Sequence, residues 1–150
     1  MSTTTLLRAA GVAAFLALSA SGVVAQTPEE VTFKDQIRQF VMKGDDTDKV
    51  DVTVTLNAEA FVMTPKKKGA QALTIPYTTI SSMTYDRRSR MRKMAYTLGK
   101  AEDHFLTIQY KPENGPGNFI EIEMGKNAAP RVLATLEARS GKKIDRASGS

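Results

Sequence analysis

The chain has 150 residues, of which 41% are hydrophobic and 25% charged, with a formal net charge of +5, one histidine and no cysteine. That size and balance point to one globular domain. The missing cysteines exclude disulfide staples, so the fold rests on its core and its hydrogen-bonded sheet. The modest basic excess favours anionic surfaces without amounting to a nucleic-acid footprint by itself.

The first 25 residues differ from the rest. Met1–Arg8 holds one base and no acid, Ala9–Leu18 is continuously apolar or small, and the segment ends in Val23-Val24-Ala25 before Gln26. A basic start, a short apolar run and a small-residue cleavage site in that order predict a secretory signal peptide over residues 1–25. The apolar run is short against the roughly 20 residues of a membrane span, so no transmembrane segment is expected after cleavage. A lipoprotein is excluded because no cysteine follows the junction. The expected localisation is exported, periplasmic or extracellular, and loss of Arg8 lowers the net charge to +4.

Residues 26–48 read as a leader with a candidate edge strand. Val31–Met42 has Phe33, Ile37, Phe40 and Val41 at helical spacing, yet its VTF and FVM pieces are strand-like; an extended segment at the sheet margin is expected. Lys43–Lys49 reads as a polar loop. Val50–Leu56 then alternates Val50, Val52, Val54 and Leu56 with polar residues, the period of a half-buried strand. Asn57-Ala58-Glu59 is a tight reversal, Ala60–Thr64 a return strand and Pro65–Ala70 a turn. Gln71–Ile75 pairs back, and Pro76, lacking an amide donor, marks a strand end. Thr78–Tyr85 continues the sheet, with Ile75, Ile80 and Tyr85 inward.

Asp86–Lys93 (DRRSRMRK) reads as a basic connection, and Met94–Leu98 as a short strand ending at Gly99. His104–Tyr110 and Phe119–Met124 alternate again, joined by the turn-rich Lys111–Asn118. A closing helix is expected from the stripe Ala129, Val132, Leu133 and Leu136, with Asn127 as its cap, Pro130 early in it and Gly141 as its stop. Ile144 is a last anchor, and the tail 147–150 frays.

A run of antiparallel strands closed by one C-terminal helix is the layout of the pleckstrin-homology-like (PH-like) barrel. IPYTTISSMTY, HFLTIQY, FIEIEM and APRVLATLEARSGKKI resemble strands and the capping helix of bacterial PH-like and GRAM-like domains. The resemblance spans residues 49–146. It implies a mainly β fold: a partly open antiparallel β-barrel capped by an amphipathic helix, whose Val132, Leu133 and Leu136 plug the opening. The phosphoinositide chemistry of eukaryotic relatives does not carry over. Neither KGDDTDK nor Asn57–Glu59 matches the basic loop those domains use, and the chain has no tryptophan.

Two basic clusters are candidate anion- or partner-binding residues: Lys66, Lys67 and Lys68, and Arg87, Arg88, Arg90, Arg92 and Lys93. Both also read as solvated turns that protect edge strands. Five bases in seven residues repel one another and call for an acid or a ligand nearby. No aromatic residue interleaves with either cluster, which disfavours nucleic acid. His104 reads as a surface or turn residue, because Glu102 and Asp103 are neighbours along one strand and give it no orienting carboxylate. Glu121 and Glu123 share one wet strand face. Asp45-Asp46-Thr47-Asp48 lacks the ligand count of a calcium loop, so no metal, cofactor or catalytic residue is expected. The function implied is an exported, non-enzymatic binding or scaffolding module of the cell envelope, with a protein partner or an anionic envelope surface as ligand. The alternatives are a small hydrolase using His104 with a carboxylate, and a purely structural accessory subunit.

Overall fold

A computed structural model describes residues 29–94 and 97–147, and within 89–101 the backbone alone. The predicted signal peptide over residues 1–25 and the predicted tail beyond Ala147 lie outside the described residues. Among the described residues nine strands and one α-helix follow in order: β1 (Val31–Phe33), β2 (Ile37–Lys43), β3 (Asp46–Leu56), β4 (Ala60–Pro65), β5 (Leu73–Pro76), β6 (Ile80–Met94), β7 (Thr97–Tyr110), β8 (Asn118–Met124), α1 (Ala129–Ser140) and β9 (Asp145–Arg146). The strands form one curled sheet in the order β5-β4-β3-β2-β8-β7-β6-β9, with β1 beside β3.

Val31–Met42 is extended, as expected, but its middle at Arg38–Gln39 lies inside the sheet rather than at its margin. β1 and β2 run antiparallel to β3 as one strand broken at Lys34–Gln36, where Gln36 takes a left-handed φ of 61°. β2 then pairs on its other side with β8, through Ile37↔Met124, Arg38↔Glu123 and Gln39↔Ile122. The Gly125 amide donates to the Gln36 carbonyl at 2.7 Å, which fixes the break against the end of β8. The expected loop Lys43–Lys49 shrinks to a Gly44-Asp45 turn, because Gly44 supplies the positive φ of 66° and Asp46–Lys49 pairs in β3.

The Asn57 reversal forms as predicted. Its Oδ1 accepts from the Glu59 and Ala60 amides at 2.9 and 2.7 Å. Pro76 ends β5, and a 3-10 turn over Tyr77–Thr79 leads into β6. No ladder joins β5 to β6, so the barrel is open along that side. Val52, Val54, Leu56, Ile75, Ile80, Ile120, Ile122 and Met124 all face the core, where Val132, Leu133 and Leu136 of α1 join them. Tyr85 is only partly buried and packs at the margin of that core.

Two expectations about the helix region change. Asn127 makes no cap: Ala128 is the capping residue, already helical, and no side chain bonds to it. The Ala128 and Ala129 amides instead donate to the Gly125 carbonyl, each at 3.0 Å, and Pro130 has no amide to satisfy. At the other end Gly141 does stop the helix, with φ 66° and its amide on the Glu137 carbonyl. Beyond the buried Ile144, β9 pairs in parallel with Thr84 and Tyr85, and the Ala147 amide donates to the Tyr85 carbonyl at 2.9 Å. This short strand covers part of the β6 edge, and nothing in the sequence pattern announces it.

The largest departure is the second half of the sheet. Asp86–Lys93 is not a turn but strand, and Met94 and Thr97–Leu98 belong to β6 and β7 rather than to a strand of their own, because β6 and β7 form one hairpin paired from Ile80↔Tyr110 to Met94↔Thr97. β8 pairs with β7 only over His104–Tyr110. The remainder of the hairpin therefore runs past the barrel as a two-stranded ribbon.

Two substitutions test this architecture. A Cβ on Gly125 would sit 2.6 Å from the Gln36 Cβ, so Gly125→Ala should destabilise the fold by about 1–3 kcal/mol. Leu136, fully buried on α1, should cost about 2–5 kcal/mol as Leu136→Ala. Urea unfolding midpoints at constant slope measure both.

Candidate functional site

The basic clusters occupy different parts of the sheet. Lys66, Lys67 and Lys68 are exposed in the β4–β5 turn, where the Lys66 amide donates to the Asp51 carbonyl at 2.9 Å. Arg87 and Arg88 lie on β6, and four strands separate β4 from β6 along the sheet. The two clusters do not share a loop or an adjacent pair of strands. Arg90, Arg92 and Lys93 are placed on the ribbon by their backbone, while their side chains lie outside the described residues.

Arg87 and Arg88 already have acids. Arg87 lies 3.7 Å from Glu102. Arg88 meets Asp86 at 2.7 Å and Glu121 at 3.8 Å, and its guanidinium stacks 4.4 Å from the centre of the Phe105 ring. Phe105 in turn packs on Phe40 at 5.7 Å, and Lys49 sits over Phe40 while bonding Glu123 at 2.7 Å. Arg87 and Glu102 share the phase of His104, whereas Asp86, Arg88, Glu121, Phe105, Phe40, Lys49 and Glu123 form one layer across the outer faces of β3, β2, β8, β7 and β6. Glu121 and Glu123 are thus counter-ions within a packed outer face. A cation over a ring and a carboxylate at hydrogen-bond distance hold one another in place, which leaves Arg88 committed to structure. By contrast, no ion pair of Lys66, Lys67 or Lys68 occurs among the described residues.

His104 is not the surface residue that its strand position suggested; it is buried, with 7% of its surface exposed. The extension of β7 back to Thr97 puts it inside a strand rather than at a strand start, on the inward phase next to Met124. Its Nδ1 lies 2.6 Å from the Tyr85 hydroxyl, and the two rings are nearly parallel. Its Nε2 is buried with no hydrogen-bond partner among the described residues. Among the described residues the partner of this imidazole is a phenol rather than a carboxylate. No cluster of acids and histidines suited to a metal occurs among the described residues.

Another phenol locks the open side of the barrel. The Tyr77 hydroxyl donates to the Asn57 carbonyl at 2.9 Å, and its amide donates to the Glu59 carbonyl at 2.9 Å. The corner after Pro76 is thereby tied to the β3–β4 reversal. Burial pushes the Tyr77 phenol above its ordinary 10.0, partly offset by the positive charge of Arg139.

Two open clefts meet at the same end of the barrel. One, of about 590 Å³, follows the unpaired side between β5 and β6 and is lined by Leu73, Pro76, Thr79, Tyr110 and Pro112. The other, of about 600 Å³, lies where β2 and β8 diverge and is lined by Val41, Met42, Leu73, Tyr110, Phe119 and Ile120. Sequence reasoning missed the second. Its signal was the run Phe40-Val41-Met42, which puts apolar side chains on both phases of a strand end, together with Phe119 beside a Pro-Gly turn.

A solved structure resolves the architecture. The chain is similar to a chain of the Spt16D–Pob3N heterodimer, with a TM-score of 0.53 and 10% identity over 83% of this chain. The fold is PH-like. This chain spans 57% of that neighbour's length. It is also similar to the hSac2 domain of the human phosphoinositide phosphatase Sac2, at 12% identity over 82% of this chain and 81% of that one, with a TM-score of 0.47. At these identities the likeness concerns the fold alone. No protein-family model matches the chain, and no curated protein matches it.

The PH-like corner makes a pH prediction. Below the ordinary phenol value of 10.0, Tyr77 is protonated folded or unfolded and its contribution is complete. As pH rises toward the elevated folded value the unfolded chain ionises first, so stability falls. Unfolding midpoints measured through that alkaline range should decline less steeply for Tyr77→Phe than for the parent, from a lower starting stability.

Proposed function

We propose that this PH-like chain is an exported, non-enzymatic binding or scaffolding module of the cell envelope. The fold supports a binding role, and the leader pattern and cysteine-free composition support export. The observation that carries the reading is the Lys66-Lys67-Lys68 turn. It is exposed, and no ion pair engages it among the described residues, whereas the Arg87 and Arg88 charges are held by Glu102, Asp86 and Glu121. The turn leads into Leu73, which lines both clefts. A cationic turn beside an apolar opening suits attachment to an anionic envelope surface while a protein partner is held.

Each lysine near an anionic bilayer contributes about 1 kcal/mol, screened by salt. Replacing Lys66, Lys67 and Lys68 by Gln should therefore lower the affinity for phosphatidylglycerol vesicles by up to about 100-fold at low salt. Replacing Arg87 and Arg88 should change it much less. Co-sedimentation measures both, and equal losses for the two sets would defeat the assignment. Export is checked separately: the N-terminal residue of the chain recovered from a bacterial periplasmic fraction should be Gln26.

A further inference from the structure

Val41, Met42 and Phe119 are the large apolar side chains left exposed among the described residues, at 37%, 73% and 63%. All three line the cleft between β2 and β8. Single exposed apolar residues are ordinary, but a contiguous group around one opening marks an interaction surface. The backbone adds a second observation. The β2–β8 ladder stops at Gln39↔Ile122, although β2 continues to Lys43 and β8 begins at Asn118. Phe40–Lys43 is paired with β3 on one side, and Asn118–Glu121 with β7 on one side. The fork is thus bounded by two strand edges without ladder partners among the described residues, over a floor of Leu73, Tyr110 and Ile120.

We propose that this fork is a docking site for an extended, apolar segment of a protein partner. The segment adds as an antiparallel strand to the Phe40–Lys43 edge of β2 and lays alternate side chains on Leu73, Tyr110 and Ile120. The free edge is about 13 Å long at the usual rise of a strand, enough for a four-residue ladder. The walls decide the class of occupant. An acyl chain would fill the apolar floor but leave the backbone N–H and C=O groups of the Phe40–Lys43 edge without partners, a costly desolvation. A peptide strand satisfies both requirements, with main-chain bonds giving affinity and alternate pockets giving specificity. A second copy would have to seat the β7–β8 hairpin of each molecule in the other's fork before the two β2 edges could meet.

The inference rests on the proposed binding role and names the chemistry of the partner. Its failure is separable, because vesicle attachment through Lys66–Lys68 does not involve the fork. The experiment selects displayed random peptides on the full chain and measures their affinity for the parent, Met42→Lys and Phe119→Lys. Both side chains are exposed, so neither variant should shift the unfolding midpoint. Selected peptides should alternate apolar and polar residues, lose about tenfold or more in affinity with either variant, and slow amide exchange over Phe40–Lys43. N-methylation of alternate peptide amides should abolish binding in one register and spare it in the other. Failure to select such peptides, unchanged affinity in both variants, or indifference to N-methylation overturns the proposal. Self-association lost in the same variants assigns the fork to a second copy, and palmitate uptake lost in them assigns it to a lipid; either overturns the peptide reading.

Discussion

Three residue pairs, Ile37↔Met124, Arg38↔Glu123 and Gln39↔Ile122, make the ladder that joins the two halves of the sheet. On one side are β1 to β5, and on the other β6 to β9. The junction depends on the break at Lys34–Gln36, which lets the first strand pair with β3 along its length while its middle also reaches β8. Gly125 permits the close approach, because its amide bonds Gln36 where any side chain would collide. The curl of the sheet, the enclosed core and the seat of α1 follow from that junction. So does the opening at its far end, since two strands joined over three pairs and not beyond must splay.

The same economy governs the charges. β6 carries Arg87 and Arg88 where an isolated basic run would repel itself, and the sheet sets Glu102 on β7, Glu121 on β8 and Asp86 on β6 itself against them. Stacking of Arg88 on Phe105 and of Lys49 over Phe40 seals the outer face. A run that looks like a binding patch along the chain becomes, in this half of the molecule, the polar coat of a sheet. The lysines of the β4–β5 turn have no such coat and keep their charge toward solvent, which is why the two clusters carry different functional weight.

Local periodicity made much of the framework legible. Val50–Leu56, His104–Tyr110 and Phe119–Met124 alternate because one face of each meets the core, and the α1 stripe repeats at the helical period for the same reason. Asn57, Pro76 and Gly141 declared themselves through backbone chemistry that few other residues supply. The failures share a cause. Asp86–Lys93 read as a turn because its charges conceal alternation, and it is a strand because β7 offers it partners and acids. His104 read as exposed because it stood at the start of an expected strand, and it is buried because β7 begins earlier and turns it inward onto Tyr85. Asn127 read as a cap, yet the Gly125 carbonyl had already taken the amides it would have served.

The sequence by itself determined a cysteine-free, mainly β domain with one closing helix, since side-chain period and turn chemistry are properties of neighbouring residues. It also showed where the bases lie, but not which of them are free. That was decided by the tertiary structure, because ion pairs, strand partners and open seams are relations between segments distant in the chain. The fork of Val41, Met42 and Phe119 belongs to this second kind. Its members are ordinary apolar residues in sequence, and they form a surface only because the β2–β8 ladder ends at Gln39.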